Sequence, residues 1–173
     1  MRIAPPAADE FAPYYGTYVK RVPGDDAWAP LVAQRASTAA LLATVTPEQA
    51  AFRYADGKWT VREVIGHLSD AERIFAYRVL RIARGDETPL ASFDENRYVP
   101  GGQFERRPMA DVAAEFAAVR DATLALLRGL DEAMLQRRGV ASNNPVSARA
   151  LAWIIAGHEI HHLGVLKERY RVG

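Results

Sequence analysis

The amino-acid sequence predicts an all-α fold, a four-helix bundle with a long connection between its second and third helices. Four long segments place apolar residues at the three-and-four spacing of a helix face. No segment shows the alternation of a half-buried strand, and the β-branched runs that a parallel sheet requires are missing. A length of 173 residues suits one hydrophobic core, so residues 1–173 read as a single domain. Residues 1–26, with Tyr14, Tyr15 and Tyr18, are expected to form an N-terminal arm across the bundle.

The first helix is expected after Asp25-Asp26. Pro30 suits an early helical position, and Leu31, Val32, Ala36, Leu41 and Leu42 follow. Thr46-Pro47-Glu48 then marks a break with one short helical turn. The second helix has the clearest start in the chain, because Thr60 as N-cap with Glu63 three positions on is a capping box. Trp59 just before it is placed to staple onto the first turn. Val61, Val64, Ile65, Leu68, Ala71, Phe75, Val79 and Ile82 form its stripe, and Gly85 ends it.

From Gly85 to about Pro108 no periodicity is visible, and a connection this long in a compact domain is usually functional or disordered. Phe93, Tyr98 and Phe104 supply anchors, which predicts an ordered segment packed on the bundle. The third helix spans about Met109 to Leu127, and a second short helical piece is expected near Asp131 to Gln136. The turn Ser142-Asn143-Asn144-Pro145 leads to a last helix, capped by Ser147 and continuing to about Tyr170.

Composition excludes several function classes. The charge is +1, with no strongly basic segment to grip a phosphate backbone, so no nucleic-acid partner is expected. There is no cysteine, which removes disulfides, thiolate metal sites and a cysteine nucleophile. The apolar runs are too short to span a bilayer, and the N-terminus carries no signal-peptide pattern. A cytoplasmic location and no membrane partner are therefore expected.

The chain has four histidines, and all fall in expected helices: His67 in the second, and His158, His161 and His162 in the last. His158 and His162 are one turn apart and can reach one ion, but so can His158 and His161. The apolar pattern separates them. Leu151, Ile155, His158, His162 and Val165 form one inward stripe, with His161 on the flank beside Gly157 and Gly164. An inward imidazole without a partner is costly, and a metal ion supplies one. His67 is the remaining candidate, on a helix that can pack beside the last one. Three neutral nitrogens leave a divalent ion with open positions, as in catalytic sites.

His158-Glu159-Ile160-His161-His162 also matches the H-E-x-x-H signature of zinc proteases. Those proteases usually take a third ligand downstream, where this chain offers only Glu168, and no strand is expected that could pair with a peptide. Glu159 is left with two readings, a base or supporting residue near the metal, or a solvated face residue.

The stretch KWTVREVIGHLSDAERIFAYRVLRIARGDETPLASFDENRYV, together with RALAWIIAGHEIHHLGVLKERY, resembles the DinB-like (YfiT-like) superfamily of metal-dependent enzymes. The resemblance extends through the tyrosine-rich arm and SNNPVSARA. It implies a four-helix bundle and a metal held by three histidines, which by motif are His67, His158 and His162. It also implies thiol-dependent S-transferase chemistry in some relatives, with bacillithiol or mycothiol, and a homodimer. The absence of cysteine fits a thiol brought from outside.

The resulting expectation is a divalent-metal enzyme that activates water or a low-molecular-weight thiol toward a small-molecule substrate. Zinc or nickel is the expected ion, with iron also compatible with three imidazoles. The alternatives are a metal-dependent hydrolase and a non-catalytic, stress-related metal-binding protein. Glu63 and Asp70, one turn either side of His67, are candidates to orient its ring. Asn96, Arg97 and Tyr98 in the connection are candidate pocket residues. About 18 residues from His67 to Gly85 span roughly 27 Å, so that segment has to fold back to reach the metal.

Overall fold

A computed structural model describes residues 1–173. Four long helices form the bundle: α2 (Trp28–Leu42), α4 (Val61–Ala83), α6 (Met109–Arg128) and α8 (Ala148–Tyr170). Short helices decorate it: α1 (Gly16–Val19), α3 (Pro47–Ala51), α5 (Glu95–Gly102) and α7 (Glu132–Gln136). Helix α4 packs between α8 and α6, and α2 lies against α6 and α8. No helix is long and apolar enough to cross a membrane.

The ends of these helices follow from local sequence. Thr60 Oγ1 accepts from the Glu63 amide while Glu63 reaches back to the Thr60 amide, so both groups of the capping box are satisfied. Thr46 caps α3 in the same way, and Asp131 and Ser147 cap α7 and α8. The last helix is buried on every side from Ala150 to Glu159, as a helix segment apolar nearly all round has to be.

Two features depart from the expected architecture. A β-hairpin, β1 (Arg138–Ala141) paired antiparallel with β2 (Asn144–Ser147), stands where no strand was expected. Each strand is only four residues long, and Gly139 and Pro145 hide the pattern. Ser142 and Asn143 take positive φ values of 51° and 62°, as a two-residue hairpin turn of this hand requires. The connection between α4 and α6 is likewise not a plain loop. It carries α5 and a 3-10 turn at Phe104–Arg106, and Leu90 bridges to Ala141 of the hairpin.

The N-terminal segment is tied into the core. Ile3 is fully buried, and its carbonyl accepts from Trp153 Nε1 at 3.0 Å. Gly157 lets α1 approach, since a Cβ there would lie 2.1 Å from the Tyr18 carbonyl oxygen. Glu10 is 2% exposed and takes the Arg149 guanidinium and the Ser147 hydroxyl. Burial alone would raise its carboxyl, but Arg149, Ser147 and the Ala7 amide outweigh that and hold it down at about 2.

Because the folded value lies below the unfolded one, Glu10 contributes stability that is present above about pH 4.5. That stability is lost as pH falls toward 2. The full contribution is about 3 kcal/mol. Urea denaturation of Glu10→Gln is expected to show that loss at pH 7 and a flatter dependence of stability on pH between 4.5 and 2.

Candidate metal centre

His67 lies in the second turn of α4, and His158 and His162 in the middle of α8. Packing of α4 along α8 brings the three rings together. Nε2 of His158 is 3.1 Å from Nε2 of His67 and 3.1 Å from Nε2 of His162. The rings stand at 66° to 78° to one another, so their ring edges converge on one point.

These contacts cannot all be hydrogen bonds. A neutral imidazole nitrogen carries either one proton or one in-plane lone pair, so Nε2 of His158 cannot serve both neighbours well. Burial pushes His67 down to about 4 and His162 down to about 3. It drives His158 well below its ordinary value, with the neighbouring imidazoles adding to the effect. All three are therefore neutral at pH 7, the state that binds metal. With metal–nitrogen bonds of about 2.0–2.1 Å, donors roughly 2.9–3.4 Å apart fit octahedral to tetrahedral angles, and 3.1 Å falls in that span. The donor set fits a divalent ion.

The surroundings hold the rings in place. Trp59, just ahead of the α4 cap, packs on His67 at 4.9 Å between centroids instead of serving only as a staple. Tyr18 and Phe75 present their rings to His158 at 5.1 and 5.9 Å. Phe104 sits directly on Gly66, where a Cβ would be 2.4 Å from its ring, so the connection does fold back onto α4 beside the site.

The histidines form one wall of a cavity of about 300 Å³ that opens to solvent. Its other walls are Tyr14, Tyr15 and Tyr18 from the arm, Phe75 of α4, and Phe93 and Glu95 from the connection. Ser142, at the tip of the hairpin, also lines it. Behind Phe75 and Phe93 lies Arg78, 2% exposed, with its guanidinium about 6 Å from both rings. It donates to the Ala91 carbonyl and the Ser142 hydroxyl.

A family model of the DinB superfamily matches residues 31–166. The chain belongs to the DinB superfamily. Solved structures agree. YfiT from Bacillus subtilis, described as a probable metal-dependent hydrolase with an unusual four-helix bundle topology, matches with a TM-score of 0.74. It is 20% identical, over 96% of this chain and 91% of its own. A DinB-like protein from Bacillus subtilis, YjoA, matches with a TM-score of 0.60 and 21% identity, over 84% of this chain and 89% of its own. A mycothiol-dependent maleylpyruvate isomerase matches with a TM-score of 0.65 and 14% identity, over 79% of this chain and 58% of its own. No curated protein matches by sequence.

Within this DinB-superfamily fold, the other residues singled out by sequence separate clearly. Glu63 is committed to the Thr60 cap, and Asp70 faces Arg73 at 3.7 Å; neither hydrogen-bonds an imidazole. Glu159 is neither solvated nor next to the three Nε2 atoms. It is 1% exposed and turned to the far side of α8, where it forms an ion pair with Arg120 at 2.6 Å and accepts a hydrogen bond from the Thr38 hydroxyl. Asn96 lies in a neighbouring groove with Trp59, His161 and His162, whereas Arg97 and Tyr98 line a separate shallow pocket with Ser92. His161 is half-buried, lines the cavity, and has no place among the three converging nitrogens.

Tyr14, Tyr15 and Tyr18, which the sequence places in an arm, line the site. Their i, i+1, i+4 spacing within that arm was the available signal.

Proposed function

We propose that this chain is a divalent-metal-dependent enzyme acting on a small molecule, with zinc or nickel as the preferred ion and iron as a third candidate. The observation that carries this reading is the convergence of three neutral imidazole nitrogens on one wall of an open cavity. A metal bound by three imidazoles supplies Lewis acidity, which lowers the pKa of a bound water or thiol so that a nucleophile exists at neutral pH.

The chain's own residues do the rest. His67, His158 and His162 stay neutral because they are buried, so they remain donors well below pH 7. Tyr18, Phe75 and Trp59 pack on the rings and fix their directions, which limits the reorganisation needed at the site. The absence of cysteine means that any thiol nucleophile has to enter with the substrate. The same site with water as nucleophile would be a hydrolase.

The test is metal content and turnover on protein purified without a histidine tag. Consumption of an electrophile such as 1-chloro-2,4-dinitrobenzene is followed with bacillithiol, mycothiol or glutathione, and ester hydrolysis with water alone. Metal-dependent turnover that vanishes in His162→Ala is expected. Its dependence on thiol distinguishes transfer from hydrolysis. Turnover that survives chelation, or a parent protein that holds no metal under replete conditions, would overturn the reading.

A further inference from the structure

One buried charge beside the cavity has no counter-ion in the protein. Arg78 is 2% exposed and forms no ion pair, whereas Arg120, the other buried arginine, is neutralised by Glu72 and Glu159. Only Nη2 of Arg78 is engaged, at 2.7 Å from the Ala91 carbonyl oxygen and 3.0 Å from the Ser142 hydroxyl. Nε and Nη1 have no protein acceptor, yet neither is sealed from solvent. Phe75, Phe93 and Ser142, which flank this guanidinium, all line the cavity.

A desolvated guanidinium without a counter-ion is costly, and two neutral oxygens offset that only in part. Ser142 carries the charge to the cavity surface. Its oxygen accepts from Arg78, so its own proton is left to donate, and no protein group takes it. The wider charge balance has the same sign. A divalent ion on the histidine wall together with Arg78 outweighs the single carboxylate of the lining, half-buried Glu95.

We infer that the cavity takes a small molecule bearing a carboxylate. One carboxylate oxygen accepts from the Ser142 hydroxyl, and Arg78 behind it supplies the opposite charge. No lysine or arginine lines the cavity itself, so this one hydroxyl and its guanidinium match a monoanion better than a phosphate dianion. The volume of about 300 Å³ limits the ligand to a small molecule. The inference rests on the metal-enzyme reading for calling that ligand a substrate, but Ser142 and Arg78 are in place with or without metal.

3-Phenylpropionate and 3-phenylpropanamide have the same shape and differ in charge, and their apolar body suits the mostly apolar lining. Each is titrated by calorimetry into the full chain, metal-free and zinc-loaded, with metal content measured on the same samples. In the metal-free chain the carboxylate is expected to bind roughly 10-fold tighter than the amide, about the size of one charge-assisted hydrogen bond. Glycine suits the φ of 51° at position 142, so Ser142→Gly removes the hydroxyl without straining the turn. It is expected to bring the two probes to within about 2-fold of each other.

An amide that binds as tightly as the carboxylate would overturn the inference, as would no binding of either probe. A preference that appears only with zinc would assign the selection to the metal and overturn it too. So would a preference that survives Ser142→Gly in the metal-free chain, which would leave Arg78 as a tie between α4 and the hairpin. A carboxylate preference in a chain that takes up no zinc would keep this inference and defeat the metal-enzyme reading.

Discussion

His158→Ala is expected to abolish stoichiometric zinc binding while the bundle stays folded. His158 is the central donor, 3.1 Å from both of the others, so its loss leaves two nitrogens with no third to share an ion. Tetrahedral zinc sites are worth about 10–16 kcal/mol in all, or roughly 3–4 kcal/mol per ligand on an even division. That corresponds to a dissociation constant raised on the order of 100- to 1000-fold. Metal analysis after desalting reads the loss directly, and thermal denaturation reads it again, because zinc should raise the midpoint of the parent and not of the variant. In chelator, the missing ring costs about 2–4 kcal/mol through its lost packing on Tyr18 and Phe75. His161→Ala is the control. It sits one turn from His158 in the same motif but outside the converging trio, and it should retain one metal per chain. Equal loss in both variants would show that the wrong pair had been chosen.

That choice was available in the sequence because periodicity ranks the faces of a helix. Leu151, Ile155, His158 and His162 share a stripe, and the structure buries His158 while leaving His161 and His162 half-covered at the cavity. The same reasoning failed one position away. Glu159 was open to a solvated-face reading because periodicity assumes one wet side, and α8 has none over its first half. Gly157 read as a flank for the same reason, although α1 lies directly on it. The hairpin was invisible because four-residue strands containing Gly139 and Pro145 carry too little alternation to register. Its tip nevertheless delivers Ser142 to the cavity, a contact between distant segments that no local pattern encodes.

What lies behind Glu159 bears on how the histidines are held. Arg120 of α6 is fully buried and donates to both oxygens of Glu72 on α4 at 2.8 Å and to Gln34 and the Leu31 carbonyl on α2, and it forms an ion pair with Glu159 on α8. One guanidinium thus cross-ties all four long helices. Glu72 lies little more than a turn beyond His67, and Glu159 directly follows His158, so the tie fixes α4 against α8 at the level of the site. Burial would lower Arg120, but Glu72 and Glu159 raise it above its ordinary value; burial raises the Glu159 carboxyl despite Arg120 and Thr38.

Arg120→Met is accordingly expected to be among the most damaging single substitutions in the chain. It strands two carboxylates in the core without a cation, a change that costs about 3–5 kcal/mol. For a domain of this size, each kcal/mol moves the thermal midpoint by about 2–4 °C, so the midpoint of the metal-free protein should fall on the order of 10 °C. The loss belongs to the uncompensated charges and not to the missing attraction. Adding Glu72→Met and Glu159→Met should therefore recover most of the cost of the stranded charges, leaving only that of Gln34, Thr38 and the Leu31 carbonyl, which lose their partners. Zinc affinity separates support from stability. If the tie holds α4 in register with α8, the triple variant recovers most of the lost midpoint but still binds zinc more weakly than the parent. A triple variant with parental affinity would mean that helix packing alone positions His67 opposite His158.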